Sequence, residues 1–147
     1  MLYPDCGHVN GFYLGQFLGM LGWRSGQAAH PLTYLDPDTE VGLDTLAALL
    51  LPHLDALGEA QEAALARTWA YALNEFDDRD LGWFLLGRLP EPPRHPRAFL
   101  AGLARRLFPG GLPDPGPHAR RLDRPGDSLF DLVPPFDHRP VGDLGME

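Results

Sequence analysis

Four glycines recur at helical spacing inside a segment that is otherwise apolar on nearly every side. Residues 10–24 read Asn-Gly-Phe-Tyr-Leu-Gly-Gln-Phe-Leu-Gly-Met-Leu-Gly-Trp-Arg. At roughly 100° per residue, Gly11, Gly15, Gly19 and Gly22 fall within an arc of about 80° and make one bare stripe. The other faces carry Phe12, Tyr13, Leu14, Phe17, Leu18, Met20, Leu21 and Trp23. Interior glycines at three of these positions cost roughly 2–3 kcal/mol of helix propensity. A second helix lying close against the stripe would compensate. A helix apolar all round belongs inside something, so we expect a central core helix with Asn10 as its N-cap. The alternative is a segment embedded in a partner or a membrane surface.

The helical signal continues from Leu43 to Phe108. Leu43–Leu57 is rich in Leu and Ala, Pro52 should kink it or start a new turn, and Gly58 is a natural stop. In Glu59–Phe76, Leu65, Trp69, Leu73 and Phe76 are spaced by 4, 4 and 3, the clearest amphipathic pattern in the chain. Asp80 can cap a helix over Leu81–Leu89, whose Leu81, Trp83, Phe84, Leu85 and Leu86 read as mostly buried. Pro90 to Pro93 break the chain, and Pro96 opens Arg97–Phe108 with Phe99, Leu100, Leu103 and Leu107 inward. Residues 32–43 admit two readings: a short hairpin across Asp36-Pro37-Asp38-Thr39, or a helix start with Asp36 as cap.

Residues 109–147 differ in kind, with eight Pro and six Gly in 39 positions. No period survives there. The expected fold is therefore all-α: a bundle of four or five helices over 10–108, with one β-hairpin near 32–43 under the first reading, and an irregular Pro/Gly-rich tail packed over it. The division is 1–108 for the helical domain and 109–147 for the tail. The tail contains Ser128-Leu-Phe-Asp-Leu-Val-Pro-Pro-Phe136, a compact apolar peptide of the sort that docks into a groove. Its groove is either on this chain's own helices or on a partner.

Charge is sorted along the chain. Residues 1–87 hold twelve Asp/Glu against three Arg (−9), 88–124 hold eight Arg against three acids (+5), and 125–147 hold five acids against one Arg (−4). Sorted charge folds a chain onto itself or selects a partner of opposite sign. All twelve basic residues are Arg, and Lys and Ile are absent, which reads as the codon bias of a GC-rich bacterial or phage genome. The one cysteine, Cys6, suits a reducing interior. The start Met-Leu-Tyr-Pro-Asp is not the pattern of a secretory signal. The longest apolar stretch, Val9 to Trp23, has 15 residues against the roughly 20 of a membrane span. We expect a cytoplasmic protein with no membrane partner.

Candidate chemistry is sparse. Glu59-x-x-Glu62, twelve residues, then Glu75-x-x-Asp78 resembles the magnesium-binding pattern of all-α nucleoside-triphosphate pyrophosphatases. The resemblance implies a magnesium-dependent phosphohydrolase whose two half-motifs sit on adjacent antiparallel helices, so that four carboxylates converge on a hard cation. The intervening residues 63–74 contain no turn former, and one continuous helix would separate Glu62 from Glu75 by about 20 Å. Cys6, His8 and His30 are zinc donor types without a second pair. Arg88, Arg94, Arg97, Arg105, Arg106, Arg120, Arg121 and Arg124 could contact phosphate. The pI near 5 and the lack of aromatics from 109 to 129 speak against nucleic acid.

The reading that fits best is a small acidic interaction protein, an adaptor, assembly factor or toxin-neutralising partner, with no cofactor, and with a homo-oligomer left open. Its partner would be a protein with a basic surface, met by Glu75, Asp77, Asp78 and Asp80, with Leu129, Phe130, Leu132 and Phe136 as a second anchor. The magnesium phosphohydrolase and an Arg-mediated nucleic-acid binder are the alternatives.

Overall fold

The computed structural model describes residues 8–23, 30, 32–116, 119–133 and 137–138. Helix α1, Phe12–Leu18, continues into a 3-10 turn at Gly19–Leu21 and is closed by Gly22 in the left-handed region (φ 76°). Tyr13, Leu14, Gly15, Phe17 and Leu18 are buried. As the stripe requires, another helix lies against it. A Cβ on Gly11 would sit 2.4 Å from the Phe84 ring, and one on Gly15 would sit 2.6 Å from the Phe84 carbonyl oxygen. Asn10 is placed just before the N-cap residue Gly11, with its Oδ1 accepting from the Phe12 amide at 3.0 Å.

Residues 32–39 form turns and no hairpin. Side chains capture the backbone there before a ladder can form: Asp36 Oδ1 accepts from the Asp38 amide, and Thr39 Oγ1 accepts from Gly42. Thr39, rather than Asp36, is thus the N-cap of α2, Glu40–Asp55. Gly42 is required because a Cβ would fall 1.9 Å from the Asp36 carbonyl oxygen. The helix runs through Pro52, whose missing amide lies in its last turn.

Gly58 does not stop α2 but serves as the N-cap of α3, Glu59–Glu75. Its amide donates to Gln61 Oε1 at 2.8 Å. Trp69 on α3 is fully buried, donates Nε1–H to the Leu100 carbonyl at 2.9 Å, and meets Phe17 and Phe108 edge-on at 6.4 and 5.6 Å. Helix α4, Asp78–Leu85, starts one turn earlier than the sequence suggested. Asp77 is its cap, accepting from the Asp80 amide at 2.8 Å, because Phe76 ends α3 in extended backbone and puts Asp77 at the boundary. Helix α5, Pro96–Leu107, opens on proline as expected. It packs on α2 where Gly102 faces Leu43, and Arg106 ties the two helices at 2.6 Å to both Glu40 and Asp44.

Described residues of the Pro/Gly-rich tail join the same core. Strand β1, His8–Val9, pairs in parallel with β2, Arg120–Arg121. A 3-10 turn at Leu129–Asp131 leads into β3, Leu132–Val133, which pairs antiparallel with β4, Asp137–His138. Leu129 and Leu132 belong to the hydrophobic core together with residues of every α-helix. Among the described residues no helix is long and apolar enough to cross a membrane.

Among the described residues one buried side-chain group has no partner. The Thr68 hydroxyl on α3 is fully enclosed and makes no hydrogen bond. Thr68→Val removes that desolvated oxygen while keeping the shape, so stability should rise by about 1 kcal/mol. The check is a higher urea midpoint at unchanged m-value.

Candidate functional site

The four acids singled out in the sequence lie at the α3–α4 junction, and they do different things there. Glu75 ends α3 and Asp78 opens α4, both exposed. Asp77 is exposed but spends its carboxylate as the helix cap. Asp80 is paired with Arg121 at 2.9 Å. Arg97 crosses from α5 to donate to the Leu73 and Phe76 carbonyls at the end of α3, where a cation also opposes the helix dipole.

Arg121 is the hub of the junction. Its guanidinium lies 3.9 Å from the Phe76 ring centroid and bonds Asp80 on one side and Asp123 (2.6 Å) on the other. The hydrogen bond from Arg121 holds the Asp80 carboxyl below its usual value, and the hydrogen bond to Asp80 in turn raises Arg121. At Asp38, burial pushes the carboxyl up. The amides of Arg94 and His95 and the Arg94 guanidinium outweigh it and leave the group below the ordinary range. Both folded values are depressed, so the stabilisation is complete above the unfolded value of about 4 and is lost as pH falls below it. Asp38→Asn and Asp80→Asn should each flatten the acid limb of stability, read as a smaller loss of urea midpoint between about pH 6 and about pH 3.

The arginine segment is largely employed at home. Arg94 meets Asp36 and Asp38, Arg106 meets Glu40 and Asp44, and Arg124 meets Asp127 at 3.9 Å. The sorted charges thus close the chain onto itself. The magnesium pattern does not assemble: α3 is one continuous helix with Glu59 and Glu62 in its first turn and Glu75 at its end. Glu62 and Glu75 are then about 20 Å apart along the axis. Among the described residues no three His, Cys, Asp or Glu side chains group as metal donors. His30 Nδ1 accepts from the Leu32 amide at 3.2 Å, while Cys6 and the side chain of His8 lie outside the described residues.

The second anchor is divided. Leu129 is fully buried and Leu132 nearly so, whereas Phe130 is 37 % exposed and Phe136 lies outside the described residues. The sequence reading also misplaced two apolar side chains. Trp83 is 61 % and Leu86 65 % exposed, because Leu81, Phe84 and Leu85 take the inward face of α4. The spacing held that signal: residues at 81, 84 and 85 share a face, and 83 and 86 share the opposite one. Trp83 and Leu86 border an open cleft of about 560 Å³ that also receives Phe12, Arg79, Arg121 and Asp123. No protein family, curated protein or solved structure is found to match the chain, so these side chains alone carry the functional reading.

Proposed function

We propose that the protein acts by binding another protein rather than by catalysis, as a small acidic adaptor, assembly factor or toxin-neutralising partner. The observation that carries this reading is the division of charge after folding. Arg94, Arg97, Arg106, Arg121 and Arg124 are engaged by the chain's own carboxylates or carbonyls. Glu75 and Asp78 are exposed and make no ion pair among the described residues, in a chain of net charge −8. The exposed Trp83 lies on the helix that Asp78 opens, and the exposed Leu86 caps its far end. Trp83 borders a cleft that Arg79, Asp80, Arg121 and Asp123 also line, and an exposed tryptophan among charged side chains is the composition of an interaction hot spot. The acids would chiefly speed encounter with a basic face and reject acidic ones. Among the described residues, the shifts at Asp80, Arg106 and Arg121 come from ion pairs between elements, and the shift at Asp38 comes from the amides of Arg94 and His95 with the Arg94 guanidinium.

The test is capture from a GC-rich bacterial host by the wild type, Glu75→Gln/Asp78→Asn and Trp83→Ala/Leu86→Ser, in about 0.05 and about 0.5 M salt. The expected result is a basic protein held by the wild type, released by salt, and retained roughly tenfold less by both variants. A ligand held equally by all three proteins and indifferent to salt would contradict the reading.

A further inference from the structure

Residues 119–133 sit on the helices in the way a peptide sits in a receptor. Carboxamide side chains of the bundle read the main chain of this strap. Buried Asn10 donates Nδ2–H to the Arg124 carbonyl at 2.9 Å and accepts from the Arg124 amide at 3.2 Å. Gln16 on α1 donates to the Asp127 carbonyl at 2.8 Å and accepts from the Leu129 amide at 2.7 Å. Gln61 on α3 donates to the Phe130 carbonyl at 2.8 Å. Strand β1 adds β2 in parallel register, and the Leu122 amide donates to the Val9 carbonyl at 2.7 Å.

Main-chain contacts of this kind supply affinity for any extended segment, and pockets for particular side chains supply selectivity. The pockets are visible from what fills them. Arg121 lies over Phe76 and pairs with Asp80, Asp123 accepts from the Gly11 amide at 3.0 Å, and Leu129 and Leu132 enter the core. From 119 to 133 these two leucines are the buried side chains, and the rest of the strap is half-buried or exposed wherever its burial is described. Residues 109–116, which lead to it, are rich in Pro and Gly and mostly exposed, with no helix or strand.

We infer that the face formed by β1, α1, the first turns of α3 and the α3–α4 junction is a receptor for an extended peptide. Residues 119–133 are its built-in occupant, and a partner segment with Arg-x-Asp, five residues, then Leu-x-x-Leu takes their place. Tethering gives the strap an effective concentration on the order of millimolar. A partner peptide therefore competes poorly with the intact chain and binds well once the strap is unseated.

The probe is a labelled synthetic peptide of residues 119–133, titrated into the full-length wild type and into full-length Leu129→Asp/Leu132→Asp. Saturable binding to the variant, at least tenfold tighter than to the wild type, is expected, and the same peptide carrying Leu129→Asp should not bind. A variant that keeps its helical spectrum and cooperative melting yet binds no peptide overturns the inference, as does equal binding of the altered peptide. Chains that only exchange straps into dimers, leaving free peptide unbound, overturn it as well. If the variant does not fold, full-length protein with a protease site between Leu112 and Pro113 is cut after folding and mixed with labelled peptide. Exchange of label into a bundle that stays helical supports the inference; a strap that never exchanges, or a bundle that loses its helical signal when the strap leaves, rejects it.

Discussion

Trp69→Ala is expected to lower stability by about 3–5 kcal/mol, the range for truncating a fully enclosed large aromatic. Three losses combine. The indole fills the space between α1, α3 and α5, touching Phe17 and Phe108 edge-on at 6.4 and 5.6 Å. Its Nε1–H satisfies the Leu100 carbonyl, which would be left without that donor. A cavity at this junction has no mobile neighbour to close it, since Phe17, Leu65 and Leu100 are themselves fully buried. For a chain of 147 residues the loss converts to a fall in Tm of about 10 °C or more. Trp69→Phe keeps most of the volume and drops the donor, so it should lose clearly less. Equal losses for the two variants would mean that the hydrogen bond, and not the packing, dominates.

The long periodic helices were legible because their signal is local. The spacing of Leu65, Trp69, Leu73 and Phe76 placed α3 within one residue at its C-terminal end, and Pro96 marked the start of α5. The boundary of α4 was decided by groups outside the local pattern. Asp77 and Asp80 are both competent caps. The choice between them rests on Phe76 packing against Phe84 and on Arg121 arriving 41 residues later to engage Asp80. At 32–39 the local chemistry of Asp36 and Thr39 overrode an apparent hairpin. Gln16 and Gln61 look like ordinary surface letters until the strap lies on them.

The candidate site was legible in the same partial way. That Glu75, Asp77 and Asp78 face solvent follows from their charge, and the structure places them so. That Asp77 and Asp80 are engaged within the fold depended on the α4 boundary and on Arg121, neither of which a charge count can see. Leu129 and Leu132 were apolar enough to anchor to either surface; it was the pockets on α1 and α3 that claimed them.

Gly15→Ala sets two local rules against each other and shows which governs this fold. Helix propensity alone predicts a gain of about 1 kcal/mol from alanine. The new methyl carbon would stand 2.6 Å from the Phe84 carbonyl oxygen and 3.2 Å from Arg88 Nε. The nearer obstacle is main chain, so relief requires α4 as a whole to move away from α1, loosening the edge-on Phe12–Phe84 pair at 5.0 Å. Overpacking of that kind costs about 1–3 kcal/mol or more, and the expected net effect is a loss of about 2 kcal/mol after the propensity gain. Gly19→Ala is the control on the same stripe. Its methyl would meet the Arg88 Nη1 atom at 3.0 Å, and the end of an arginine side chain can swing aside. That variant should range from neutral to about 1 kcal/mol more stable. Chemical denaturation of the two alanine variants decides it: if Gly15→Ala is as stable as Gly19→Ala, the stripe is not a seam between helices, and the close approach of α1 and α4 is not what holds them.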